Sequence, residues 1–124
     1  MSPVERTLDW LRQHGYTATK TEHYHHYAKR RIDLFGFIDV LAVSEHHVIA
    51  IQVTDGSHRA EHVPKILALP VARLLAQHMD VELWSWSLKL TGLTRKDGRL
   101  NRQKEYQLRR DALTARLVRR RGRS

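Results

Sequence analysis

Gly36-Phe37-Ile38-Asp39-Val40-Leu41-Ala42-Val43 and, after a gap of four residues, Val48-Ile49-Ala50-Ile51-Gln52-Val53-Thr54 decide how this chain folds. Both runs are apolar and rich in β-branched residues, so they read as buried strands. Ser44-Glu45-His46-His47 between them is short enough to close a hairpin. Each run also holds one polar residue with oxygen-ligand chemistry. A buried carboxylate without a partner is costly, so Asp39 is expected to meet a cation, a donor network or both. An acid on one strand and a second oxygen ligand, Gln52, on its neighbour make a simple divalent-cation site.

Towards the N-terminus, Ser2-Pro3-Val4-Glu5 is a capping box with proline at the first helical position. Val4, Leu8 and Leu11 share one helical face, and Gly15 is a natural stop. Tyr16 to about Tyr27 alternates loosely and predicts a strand with a polar face. Lys29-Arg30-Arg31 then bends the chain into a buried strand over roughly residues 33–43. An unbroken strand there puts Asp33 about 20 Å from Asp39 on the same face, as a turn or salt-bridge residue.

Towards the C-terminus, Asp55-Gly56-Ser57 ends the second strand and a helix is expected from about residue 59. Val63, Ile66, Leu67, Val71, Leu74 and Leu75 keep helical spacing, with a kink or restart at Pro70. Val81-Glu82-Leu83-Trp84-Ser85-Trp86 alternates as a strand, with Val81, Leu83 and Ser85 on one face and Glu82, Trp84 and Trp86 on the other. Packing beneath a helix suits the tryptophans better than base stacking. Lys96-Asp97-Gly98-Arg99 is a hairpin-turn signal before a strand from Leu100. Residues 109–120 predict a short basic helix with Ala112, Leu113 and Leu117 inward. The α-β-β-β-α-β order predicts an α/β (α+β) fold with a mixed central β-sheet flanked by helices.

The 124 residues make one domain with no cysteine, which excludes disulfide and thiolate chemistry. No apolar run approaches the roughly 20 residues of a membrane span, and Met1-Ser2-Pro3-Val4-Glu5 lacks signal-peptide character. A cytoplasmic protein with no membrane contact is expected. Residues 1–94 hold ten Lys and Arg and ten acids, whereas residues 95–124 hold twelve against Asp97, Glu105 and Asp111, so the whole net charge of +9 lies at the end. The division is thus a core over 1–94 and a basic hairpin or helix extension over 95–124, folded with the core or partly disordered. A neutral body with a polycationic end suits a phosphate backbone. A solubilising tail is the alternative reading.

With Asp39 and Gln52 where they stand, this element order resembles the PD-(D/E)XK nuclease superfamily, and within it the Holliday-junction resolvases. The resemblance rests on Glu5-Arg6-Thr7-Leu8 through Gly15-Tyr16, on Phe37-Ile38-Asp39-Val40-Leu41, and on Ile51-Gln52-Val53-Thr54 where the family carries acid-x-Lys. Asp33-Leu34-Phe35-Gly36 through Gln52-Val53-Thr54, with Gly56-Ser57 and a basic residue in the next helix, is also similar to small phage-encoded proteins. It implies a restriction-endonuclease-like core over most of residues 2–90. It further implies a divalent-metal-dependent DNA endonuclease acting on branched or duplex DNA as a homodimer, without a small-molecule cofactor. Asp39 would be the central ligand of Mg²⁺ or Mn²⁺, with Gln52, the carbonyl of Val53 and Glu5 completing the set.

Two departures qualify that expectation. Gln52 can ligate a hard cation through its amide oxygen but brings no charge. Thr54 stands in the lysine position and cannot supply a cation, so Lys65 on the following helix, or Lys29, would have to reach back. Without either, the chain would be a DNA-binding protein with a degenerate nuclease fold; a basic RNA-binding module is a third reading. Nucleic-acid contacts are expected from Lys29, Arg30, Arg31, Arg59, Arg95, Lys96, Arg99, Arg102, Arg109 and Arg110.

Other residues have plainer explanations. Asp39 could pair with Arg30 or Arg31 as a structural carboxylate, Gln52 could bond a neighbouring strand end, and the capping box fully accounts for Glu5. Asp55 suits a loop cap. His58 and His62 have the i, i+4 spacing of zinc ligands, but Arg59-Ala60-Glu61 between them leaves the general-base position unfilled and no third ligand is evident. An exposed polar face or a DNA contact fits that pair better. His23, His25 and His26 suit a solvated strand edge.

Overall fold

The computed structural model describes residues 1–100 and 102–121. Helix α1 spans Pro3–Gln13, and its capping box is complete. The Ser2 hydroxyl accepts from the Glu5 N–H at 3.2 Å, and the Glu5 carboxylate accepts from the Ser2 N–H at 2.9 Å. The helix buries Thr7 and Leu11 and stops before Gly15, whose φ of 86° continues no helix. Among the described residues seven strands follow in chain order: β1 Thr17–Lys20, β2 His23–His25, β3 Arg30–Ile32, β4 Val40–Val43, β5 Val48–Asp55, β6 Asp80–Leu90 and β7 Lys104–Ala112. Between β5 and β6 lie a 3₁₀ turn at Gly56–His58, helix α2 Arg59–Leu67 and helix α3 Pro70–Ala76, and helix α4 Thr114–Arg121 comes last. Pro70 opens α3, so the chain restarts there.

Five strands form one sheet in the order β1-β4-β5-β6-β7, while β2 and β3 pair apart as a small hairpin. Neighbours are antiparallel except β5 and β6, which are parallel and therefore need the crossover that α2 and α3 provide. Strand alternation then sorts the two faces. Val40, Ala42, Ile49, Ile51 and Trp84 pack with Leu11 of α1. Ala50, Val81 and Leu83 pack on the other face with Ile66, Leu67, Ala72, Leu113 and Leu117 from α2, α3, α4 and the residue before α4. Val40 pairs with Ile51, so the register sets Asp39 opposite Gln52 on the α2–α3 face.

The tryptophans hold α1 to the sheet. Trp84 is fully buried, meets Trp10 edge-on at 5.1 Å, and donates its indole N–H to Glu82 at 2.9 Å. Arg110 grips Glu82 with two bonds, of 3.0 and 3.2 Å, and lies over the Trp84 ring at 4.7 Å. Trp86 donates to the Thr7 hydroxyl at 2.9 Å. Neither ring is presented for base stacking.

Several sequence expectations are corrected. The buried strand expected over 33–43 is a strand only from Val40, because Phe35 and Gly36 both take left-handed φ values, 54° and 81°, and reverse the chain. The strand expected over 16–27 breaks after Lys20 and resumes as β2. The helix expected over 109–120 begins only at Thr114, since residues 104–112 pair with β6 from Glu82 to Leu90 and cover its edge. Ala112 is accordingly exposed on β7, while Leu113 and Leu117 are buried as expected. Leu100 makes a lone bridge to Thr94, and the strand starts at Lys104. Of the basic extension, Asn101 and residues 122–124 lie outside the described residues.

Candidate metal centre

Glu22, Asp33 and Asp39 bring one carboxylate oxygen each to within 4.8 Å of one another. Three chain segments deliver them. The chain leaves β1 at Glu22, runs out and back through the β2–β3 hairpin, returns at Asp33, turns over at Phe35-Gly36 and reaches Asp39 just before β4. The turn is closed by Leu34 and Ile38, whose N–H groups each donate to the other's carbonyl, at 3.2 and 3.0 Å. Thr21 fastens the Glu22 side to the same place: its N–H donates to the Asp39 carbonyl at 2.8 Å and its hydroxyl to the Ile38 carbonyl at 2.6 Å.

Asp39 is 6% exposed. Its carboxylate accepts from the Val53 N–H at 2.8 Å across the β4–β5 pair. Burial pushes its pKa up to about 7; the Val53 bond opposes that rise, while the neighbouring Asp33 and Glu22 carboxylates add to it. Asp39 therefore shares a proton with its neighbours or needs a cation in their midst. Lys20 and Arg31 answer part of this charge, both through Glu22, at 3.7 and 3.1 Å. Three carboxylate oxygens could hold a metal ion, whose charge would offset the burial and the repulsion that raise Asp39.

The expected site residues divide. Asp39 belongs to the cluster, and Gln52 stands beside it, half-buried, outside the three-acid group. Val53 contributes its N–H to Asp39. Glu5 is engaged in the capping box of α1, the helix that covers the opposite face, and is not part of the acidic group. Thr54 is buried on the Gln52 side of β5. Lys65 is exposed on α2 and makes no ion pair with the acids; Lys29 is exposed at the hairpin turn with a φ of 51°. The cations that do reach the acids are Lys20 and Arg31.

Sequence reasoning missed Glu22 and Asp33 as members of the cluster. The available signal was Gly36 inside an apolar run, which marks a break as readily as a buried strand. The alternative pairing of Asp39 with Arg30 or Arg31 does not form, since Arg31 bonds Glu22. Asp55 caps the 3₁₀ turn through the Ser57 N–H, as expected for a loop cap. His58 sits between Asp55 and Glu61, at 3.9 and 3.5 Å, and with His62 joins no three-ligand group among the described residues.

The expected nucleic-acid contacts also divide. Arg59 is bound to Asp111 by bonds of 2.6 and 2.8 Å, Arg109 approaches the same carboxylate at 3.5 Å, and Arg110 is committed to Glu82. Arg30 is exposed on β3. Arg95, Lys96, Arg99 and Arg102 are exposed in the β6–β7 connection. Arg95, Arg99, Arg102 and Lys104 surround a cavity of about 810 Å³ with Leu90 and Leu100. Compared with family models, curated proteins and solved structures, the chain matches none.

Proposed function

We propose that this chain is a divalent-metal-dependent endonuclease that hydrolyses DNA phosphodiester bonds at the Glu22–Asp33–Asp39 cluster. The convergence of those three acids at the head of a central strand is the observation that carries the reading. When bound there, Mg²⁺ or Mn²⁺ would polarise a phosphoryl oxygen and acidify a water. Asp39 would be the central ligand, oriented by the Val53 N–H, with Glu22 and Asp33 beside it and Gln52 at the margin. Lys20 and Arg31 bring positive charge to a cluster that would otherwise repel a phosphate backbone. The exposed arginines of the β6–β7 connection supply the wider attraction for DNA.

The antiparallel start β1-β4-β5 followed by a helical crossover to a parallel β6 supports the restriction-endonuclease-like reading. The resolvase resemblance adds branched DNA as substrate and a homodimer as the working unit, since a symmetric junction needs two cuts. One observation favours DNA binding without turnover: Thr54 fills the lysine position and Lys65 is exposed and pairs with none of the three acids.

Labelled four-way, forked, duplex and single-stranded DNA, incubated with EDTA, Mg²⁺ or Mn²⁺, separates the two. Cleavage in Mn²⁺ that disappears in Asp39→Ala and Asp33→Asn supports the enzyme. Tight binding with no cleavage of any substrate supports the degenerate fold.

A further inference from the structure

A second feature lies on the same sheet face as Asp39, two strands away. Arg59, Ser85, Ser87, Lys89, Gln107 and Arg109 line a cavity of about 180 Å³ at the C-terminal ends of β5 and β6. That is about six water volumes, room for a tetrahedral oxyanion and a little solvent. Gly56 forms one wall, and a Cβ there would fall 1.7 Å from the Ser87 hydroxyl, so that hydroxyl holds its place only opposite a glycine.

The lining is polar in a specific way. Ser85 is 2% exposed, yet no described group bonds its hydroxyl. Ser87 and Lys89 likewise spend no side-chain bond elsewhere. Arg59 and Arg109 are held at the cavity by Asp111, and Glu105 stands opposite Lys89 and accepts from Gln107. Three cations against two carboxylates leave one positive charge. A serine hydroxyl that opens onto the cavity with no protein partner, beside Arg59 and Arg109, suits an anion with several oxygens.

We infer that this cavity is an oxyanion pocket that takes one phosphate of the nucleic-acid backbone while another lies at the acidic cluster. The inference rests on the nuclease reading for its ligand. Thr54 pairs with Ser85, two positions along β5 from Gln52. Two strand spacings and two residue rises put Ser85 roughly 12 Å from Asp39 along the same face. A phosphate gripped there fixes the register in which the strand crosses the acids.

The test uses the full chain and inorganic phosphate as probe, followed by backbone amide NMR shifts. Saturable shifts at Gly56, Ser85 and Ser87 are expected at millimolar phosphate, weakened at least fivefold in Lys89→Met, partly kept in Lys89→Arg, and reversed by a competing oligonucleotide. DNA affinity should fall about tenfold in Lys89→Met. Asp39→Asn should abolish cleavage while leaving the phosphate shifts intact. Phosphate shifts confined to the β6–β7 arginines, or equal in Lys89→Met and wild type, overturn the pocket even if DNA is cut. Shifts that no oligonucleotide reverses make it a site for free phosphate and overturn the backbone assignment. Phosphate and oligonucleotide binding that both depend on Lys89, in a chain that cleaves nothing, uphold the pocket and remove the nuclease reading instead.

Discussion

Asp33 and Asp39 come together because the two residues midway between them, Phe35 and Gly36, reverse the chain at φ of 54° and 81°. Six residues of extended strand would have separated the carboxylates by about 20 Å. Burial raises the Asp39 pKa to about 7, and Asp33, folded back beside it, adds to that rise.

That shift has a definite sign. The folded state binds the Asp39 proton more tightly than the unfolded chain does, so its favourable contribution is complete below about pH 4. It is lost as pH rises to about 7, where the folded carboxyl ionises. The loss is on the order of a few kcal/mol. Urea midpoints should therefore fall between pH 5 and pH 8 in wild type and fall less in Asp39→Asn. Millimolar Mg²⁺ or Mn²⁺ at pH 8 should restore the wild-type midpoint and leave the variant unmoved. Identical pH slopes in the two proteins would rule out Asp39 as the source.

Phe35 gives a backbone test of the same turn. A bulky residue at positive φ is strained, and Phe35 is 56% exposed, so its ring recovers little by burial. Phe35→Gly should leave stability level or raise it by about 1 kcal/mol, whereas Phe35→Val should lower it by a similar amount or more. Chemical denaturation reads both. A marked loss in Phe35→Gly would mean that the ring is packed in a way its exposure conceals.

The turn also marks where the sequence stopped being legible. Continuous apolar runs marked β4 and β5, and alternation placed β6 and its two faces, because both faces of those strands are covered and the pattern answers directly to burial. Asp39 was legible for the same reason, as a charge in an apolar run. Glu22 and Asp33 were not, since their role comes from a tertiary reversal that two residues create and no periodicity records. Residues 109–112, expected in the terminal helix, failed differently. Lys104-Glu105-Tyr106-Gln107-Leu108-Arg109-Arg110-Asp111-Ala112 has no strong period of its own and becomes a strand because the edge of β6 needs a partner.

Arg110 tests the tryptophan face. Glu82 is buried, and Arg110 neutralises it with two bonds, so Arg110→Ala strands a charge against Trp84. A loss of about 3–5 kcal/mol is expected, and a smaller one in the double change Glu82→Gln with Arg110→Met, which removes both charges. Two-state urea curves for the three proteins suffice. A double variant no better than the single would show that packing, not charge pairing, holds this face.

Asp111 ties β7 to α2 through Arg59, and that guanidinium holds its carboxyl below the usual range. The sign is opposite to that of Asp39: this stability is present above the ordinary carboxylate pKa and vanishes as pH falls through the lowered one. Asp111→Asn should cost about 1–3 kcal/mol at pH 7 and nothing further in acid. Denaturant midpoints at pH 7 and pH 2.5 check it, and an unchanged difference between the proteins at the two pH values would refute it.

DNA attraction must be tested without cutting the chain short. Removing everything after Gly92 would take away β7, the ladder along β6, and Leu113 and Leu117 from the core, so lost binding would report unfolding. Charge neutralisation avoids this, because Arg95, Lys96, Arg99 and Arg102 are exposed in the connection and none is in the core. If all four meet phosphates, replacing them with glutamine should reduce the slope of log affinity against log salt by about 3 to 4, at roughly 0.9 per contact on duplex DNA. Far-ultraviolet circular dichroism should stay unchanged. An unaltered slope in a folded variant would move the anchor to the β2–β3 hairpin, where Lys29, Arg30 and Arg31 offer the next concentration of exposed charge.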